Sequence, residues 1–396
     1  MACRTTAGRY ARNASRHGWR IALIAAIAFG PPATAAVAAG HLDVSTGVAT
    51  GGQAGGGGLR LAGSRAGRQL VVTAIEPGPA GGPAAERLRD VTHEARYRID
   101  PPTLAAVSNS GFLTPRADGT GTIVVEAAGL PEVRVPLVVE RFGADPLIDF
   151  DTQVVPIFTK HGCNGGGCHG KSGGQNGFRL SLLGFEPGED YEHLVHEARG
   201  RRISVVSPDL SLLLVKATAA VPHGGGKLIE PGSPSYELIA RWIAEGGRPG
   251  SPQAPRVARI EVFPADRVMR PADRQQLRVL AHLTDGSIED VTRLSQFEVN
   301  APDLAAVDTA GLVAVPARGD GPPRSGTAAV MVRYQSQVAV FRATLPLEST
   351  ADGMPAPEAF VRTFVDKHVL DRLVSLRLPP SPACDDSTFL RRVTVD

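Results

Sequence analysis

Apolar positions along this chain recur with two different periods. Between 59 and 140 they alternate with polar ones. Residues 69–74, 95–99, 121–127 and 133–139 each read as a strand, separated by turns rich in Gly, Pro, Asp and Asn. Short strands at this spacing predict an antiparallel sandwich. Between 145 and 250 the period lengthens. Residues 149–160 read as a helix that Asp149 or Asp151 could cap, with Val154, Ile157 and Phe158 on one face. Pro156 requires that helix to start near Val155. Further helices are predicted over 189–198, over 209–217 behind Ser207-Pro208, and over 235–245. The last has Ser233-Pro234 at its start, Gly246-Gly247 at its end, and Leu238, Ile239, Trp242 and Ile243 as a broad apolar face.

The strand pattern then returns. Asp90-Val91-Thr92 matches Asp290-Val291-Thr292, 104–107 matches 304–307, and Gly111 matches Gly311. The strand at 326–330 stands for that at 121–125. This is an internal duplication. It divides the chain into β copies at 59–140 and 256–346 with the helical segment 145–250 between them. Asp90, Thr92 and their counterparts are expected to shape a turn through side-chain-to-backbone hydrogen bonds. Residues 347–359 read as a linker, and 360–396 as the helical opening of a further domain cut short.

The 396 residues are 42% hydrophobic, enough for several cores, and carry 45 Gly and 32 Pro. A net charge of +2 argues against nucleic-acid binding. Five arginines precede the apolar run 21–29, and Ala36-Val37-Ala38 follows. Residues 1–38 therefore read as an export signal, with 39–58 a Gly-rich linker or a loose first strand. Cleavage removes those arginines and no acid, leaving an acidic exported protein with no membrane span, in the periplasm or at the cell surface.

Candidate chemistry is concentrated at Cys163, Cys168 and His169, in a Cys-x4-Cys-His cluster with three glycines inside the loop. Two thiols followed at once by His are the arrangement that attaches a c-type haem, and the same pair could form a disulfide or join a metal site. No Met lies between 145 and 250. If a haem is held, the second axial ligand is expected from His223, in a glycine-flanked loop before the last helix, opposite His169. Arg179 is then a candidate partner for the haem propionates, as is the Arg199, Arg201 and Arg202 group. Phe178, Leu180 and Leu182 alternate and could line the pocket, and Trp242 would pack across it. His193 and His196 are expected to be exposed. There is no G-x-S-x-G, Walker-type loop or H-E-x-x-H.

Three resemblances bear on these readings. The repeated block, carried by 290–292, 300–307, Gly311 and 326–330, resembles the group 2 bacterial Ig-like domain, which implies spacer or adhesion modules. Residues 145–250, through 155–158, 162–170, 176–180, 207–213 and 231–247, resemble the planctomycete-type cytochrome c-like domain. Its commoner pattern is Cys-x2-Cys-His with a distal Met, so this chain departs at both points. The tail resembles the start of the uncharacterised C-terminal region of large secreted planctomycete proteins. The resemblances imply two all-β Ig-like sandwiches flanking an all-α class I cytochrome c-like domain. The implied function is an exported carrier of one haem c, transferring electrons to a redox partner or to a missing C-terminal domain. The alternative is a haem-free structural or adhesion protein with a Cys163–Cys168 disulfide and Ig-like spacers or modules for a cell-surface glycan.

Overall fold

The computed structural model describes residues 40–47, 58–77, 86–319, 324–347 and 361–395. The expected export signal and most of both expected linkers lie outside the described residues.

Two β regions flank a helix-rich middle, and two helices follow the second. The β regions have the same topology. In the first, His41–Ser45, Val71–Pro77 and Glu86–Asp90 form one antiparallel sheet. A second sheet runs in the order Leu59–Ala62, Val133–Glu140, Gly119–Glu126, Arg96–Asp100, with the first pair parallel. A small third sheet joins Arg68–Gln69, Phe112–Pro115 and Ala105–Val107. In the second region Val257–Phe263, Arg278–Leu283 and Ile288–Asp290 repeat the first sheet. The four-stranded sheet recurs with Asp266–Val268 parallel to Gln337–Leu345, and the third with Arg274–Gln276. Inward-facing Leu, Ile and Val of alternating strands close one core in each region.

Two details differ from the sequence expectations. The first module begins at His41, inside the segment read as a linker or a loose first strand, because that strand pairs with Val71–Pro77. The strand expected over 69–74 is interrupted at Leu70, which leaves one sheet for another and binds the Gly111 carbonyl at 2.9 Å. Leu277 does the same with Gly311 at 2.9 Å. Gly111 and Gly311 sit at φ 75° and 82°, where a side chain is strained, which explains a glycine at both places.

The D-x-T turns have the expected local geometry. Asp90 Oδ1 accepts the Thr92 N–H at 2.8 Å and Asp290 Oδ1 that of Thr292 at 3.0 Å. Each threonine hydroxyl then accepts a buried strand N–H, that of Val72 at 2.9 Å and Val279 at 2.8 Å.

The second carboxylate oxygen of each turn does something not visible in the repeat. Asp290 Oδ2 accepts the N–H of Gln69 in the other module at 2.7 Å. Asp90 Oδ2 accepts that of Gln276 at 3.0 Å, and Gln275 Nε2 at 2.7 Å. The two copies thus clasp each other reciprocally. The side chains of Gln69 and Gln276 brace the clasp alike, the first donating to the carbonyls of Leu70 and Ser110, the second to those of Leu277 and Ala310.

The middle region is tied to both modules. Asp145 accepts the Ser64 N–H at 2.6 Å and lies 4.0 Å from Arg65. On the other side Lys160 donates to the carbonyls of Ser295 at 3.3 Å and Thr309 at 2.5 Å, and Tyr334 donates to that of Thr152 at 2.7 Å. The tail forms helices Phe364–Leu376, opened by a Thr363–Asp366 capping box, and Asp386–Val395.

Candidate functional site

The helices of the middle region follow the local sequence closely. The stretch 149–160 forms a widened turn, Phe150–Val154, whose start is capped by the Asp149 side chain, and then the helix Val155–Lys160. Pro156 falls in the first turn, where its missing N–H costs nothing. Helix Pro234–Ala244 is capped by Ser233, whose hydroxyl accepts the Tyr236 N–H at 3.3 Å. Phe150, Phe158, Leu194, Leu214, Ile239, Trp242 and Ile243 build the core.

Above that core lies a cavity of about 380 Å³. Phe158, Leu180, Leu194, Ala217, Ile229 and Ile239 supply apolar wall. Cys163, Cys168, His169, Phe178 and His223 also line it, as do the cations Arg201, Arg202 and Lys216. The glycine-rich loop folds tightly enough that the His169 N–H reaches the Cys163 carbonyl at 3.0 Å.

The two imidazoles face each other with ring centres 6.4 Å apart and planes within 8°. His169 Nδ1 bonds the Phe178 carbonyl at 3.0 Å and His223 Nδ1 that of Gly226 at 2.9 Å. A carbonyl only accepts, so Nδ1 carries a proton in each ring. Burial lowers the His169 pKa and so favours its neutral form. Burial pushes the Cys163 thiol up to about 12. Cys163 packs against the core while remaining partly exposed at the cavity.

Of the residues expected here, the structure brings together Cys163, Cys168, His169, His223 and Phe178. Trp242 is elsewhere. It is fully buried behind the cavity, 5.2 Å from the Phe150 ring, with its indole N–H on the Arg248 carbonyl at 2.8 Å. Arg179 points outward, bonding His193 Nε2 at 2.9 Å and lying 4.0 Å from Glu189. Arg202 takes the inner place, 4.6 Å over the Phe178 ring and donating to the carbonyls of His193 and Gly177. Leu182 is 53% exposed and leaves the wall to Phe178 and Leu180. His196 is exposed, as expected, whereas His193 is half-buried under Arg179. Lys216 was missed. It lies on the short helix Leu212–Ala217, whose apolar residues gave no sign of which side faces a cavity.

No family model matches the chain, and no curated protein matches it. Among solved structures, it is similar to domains 5–6 of the S-layer protein SbsC at 13% identity, covering 74% of this chain and 94% of that one, with a TM-score of 0.27. It is similar to S-layer protein rSbsC(31-844) at 9% identity, covering 78% of this chain but only 28% of that one, with a TM-score of 0.20. For invasin, a bacterial integrin-binding protein, the figures are 11% identity, 78% and 59% coverage, and a TM-score of 0.16. Likeness at this level carries no argument about fold or function.

These findings correct the cofactor expectation. Among the described residues no group of three or more His, Cys, Asp or Glu side chains gathers as a metal-ligand set, and the imidazole pair supplies two donors. Cys163 and Cys168 are free thiols, so the disulfide is corrected as well. No family model supports membership of the cytochrome c-like domain family or the planctomycete-type architecture. Haem c, iron ligation by His169 and His223, and electron transfer to a redox partner are withdrawn. Two β regions around a helical middle remain. Among the described residues no helix is long and apolar enough to cross a membrane. The residues read as an export signal to the periplasm or cell surface lie outside the described residues.

Proposed function

We propose that this chain is a haem-free structural protein of the cell exterior, a spacer or adhesion element built from two Ig-like modules and a helical insert. The observation that supports it most is the reciprocal clasp between the D-x-T turns. A flexible string of modules has no use for buried hydrogen bonds across its joints. Here the bonds of Asp90 and Asp290, together with those that Lys160, Tyr334 and Asp145 make between the insert and the modules, hold three folding units in one orientation. Such a block transmits position and load along a surface assembly. Small-angle scattering of the exported full chain tests this. One rigid particle whose profile matches a single arrangement is expected; a profile that needs independently moving modules sinks the reading.

A second role is supported by the cavity. Its apolar wall and its rim of Arg201, Arg202 and Lys216 suit a small organic molecule with an acidic group. A solvatochromic apolar dye should be taken up and displaced by a fatty or aromatic carboxylate, less readily in Arg202→Gln. Dye uptake unchanged by any carboxylate and by that substitution rejects this role.

A further inference from the structure

The two halves of the clasp differ in charge. On the Asp290 side, three guanidinium groups, those of Arg68, Arg278 and Arg293, lie within the field of that one carboxylate. Arg68 is 7% exposed and Arg278 2% exposed. The carboxylate is already engaged, Oδ2 with the Gln69 N–H and Oδ1 with that of Thr292. Arg278 donates to the Ser45 carbonyl at 2.7 Å and to its hydroxyl at 3.0 Å. Arg293 donates to the Ser110 hydroxyl at 3.4 Å and lies 4.2 Å over the Phe112 ring, as Arg278 lies 4.9 Å over that of Phe263. Among the described residues, Arg68 Nε and Nη1, Arg278 Nε and Arg293 Nε are buried donors with no hydrogen-bond partner.

The other half shows what a balanced version looks like. Leu70 and Leu277 are equivalent by their bonds to Gly111 and Gly311, so Gln275 stands where the first module has Arg68. Gln275 is neutral and donates directly to Asp90. His93 stands opposite Arg293 in the repeat and bonds the Gln276 side chain at 2.9 Å. The cationic excess is therefore a feature of one half, not of the module plan. Buried guanidinium N–H groups without acceptors are costly, and three cations share one carboxylate, so an added anion would offset both deficits. Guanidinium forks match the oxygens of a tetrahedral oxyanion in spacing and direction.

We propose that the Asp290 half of the clasp binds one small inorganic oxyanion, of the phosphate or sulfate class, between Arg68 and Arg278. The anion accepts from the open nitrogens and joins the two modules from within the seam. Its entry is on the Arg68 side, the more exposed of the two.

The test is calorimetric titration of the full chain with inorganic phosphate and with sulfate at constant ionic strength, chloride serving as the comparison. Saturable one-to-one binding of an oxyanion is expected. Arg68→Gln, which copies the neutral arrangement of the other half, should weaken it by about tenfold or more, with near-ultraviolet circular dichroism unchanged. Arg68→Lys keeps the charge but not the fork and should fall between, which separates site geometry from folding. Absence of saturable oxyanion binding to the unmodified chain overturns the proposal. So does equal binding by Arg68→Gln, and so does a preference for chloride. If ordered water alone fills the seam, Arg68→Gln will be more stable than the parent in every buffer and indifferent to the anion, which also overturns it.

Discussion

Replacing Asp90 by alanine removes one side of the clasp, and the structure sets both the size and the pH dependence of the effect. Three donors lose their acceptor: the N–H groups of Thr92 and Gln276 and the amide of Gln275. All three residues are at most 1% exposed, so water reaches those groups only if the seam opens. A buried donor left unpaired costs roughly 1–3 kcal/mol. Against this stands the cost of burying the carboxylate itself, which pushes Asp90 up to about 6. His93 and Arg267 oppose that shift from nearby, and burial outweighs them. A folded-state value above the unfolded one means that protonation favours the folded form. The parent therefore gains stability as pH falls from about 6 toward 4, by roughly 3 kcal/mol at most. Alanine has no such gain. Urea unfolding of the full chain followed by circular dichroism should show Asp90→Ala destabilised at neutral pH, and by a larger margin near pH 4.5. Asp90→Asn, which keeps an acceptor and cannot ionise, should be less damaging and should flatten the same pH dependence. A deficit for Asp90→Ala that is equal at both pH values, or absent, refutes the account of the clasp.

Two further outcomes follow from the same geometry. Lys160 binds only carbonyl groups where the helical insert meets the second module, and burial lowers it to about 8. A lowered folded value means that the neutral amine is favoured in the fold, so stability should rise between about pH 8 and 10.5. Lys160→Met should remove that rise, read as thermal midpoints across the range; persistence of the rise in the variant would assign it to another group. Trp242 is fully buried behind the cavity, so Trp242→Ala should cost about 3–5 kcal/mol, read in chemical unfolding of the helical part. A loss under about 1 kcal/mol would mean that the indole is not a core residue.

The duplication, the alternation of its strands, and the D-x-T turns were all legible along the chain, because each depends on residues close in sequence. The same holds for helix starts at Pro156 and Ser233, where proline and a capping hydroxyl act within one turn. Cys163, Cys168, His169 and His223 line one space. The chemistry assigned to that space was not sustained, since a motif names residue types and not the full donor set around them. Periodicity placed Trp242 on an apolar face, but a face broad enough to include Leu238, Ile239 and Ile243 can meet either a core or a cavity. Which it meets depends on Phe150, nearly a hundred positions away. Arg179 and Arg202 were equal candidates in sequence; the packing of Phe178 turned one outward and the other in.

What the chain determined alone was local: two copies of one β unit, a helical stretch between them, and turns held by their own side chains. The tertiary structure decided how the copies meet. A repeat fixes only what each copy does to itself, and an aspartate has two oxygens. One is used within its own turn, and the direction of the other is set by whatever surface docks against it. The same docking placed Arg68 against Asp290 and Gln275 against Asp90, so two equivalent sites came to differ in charge.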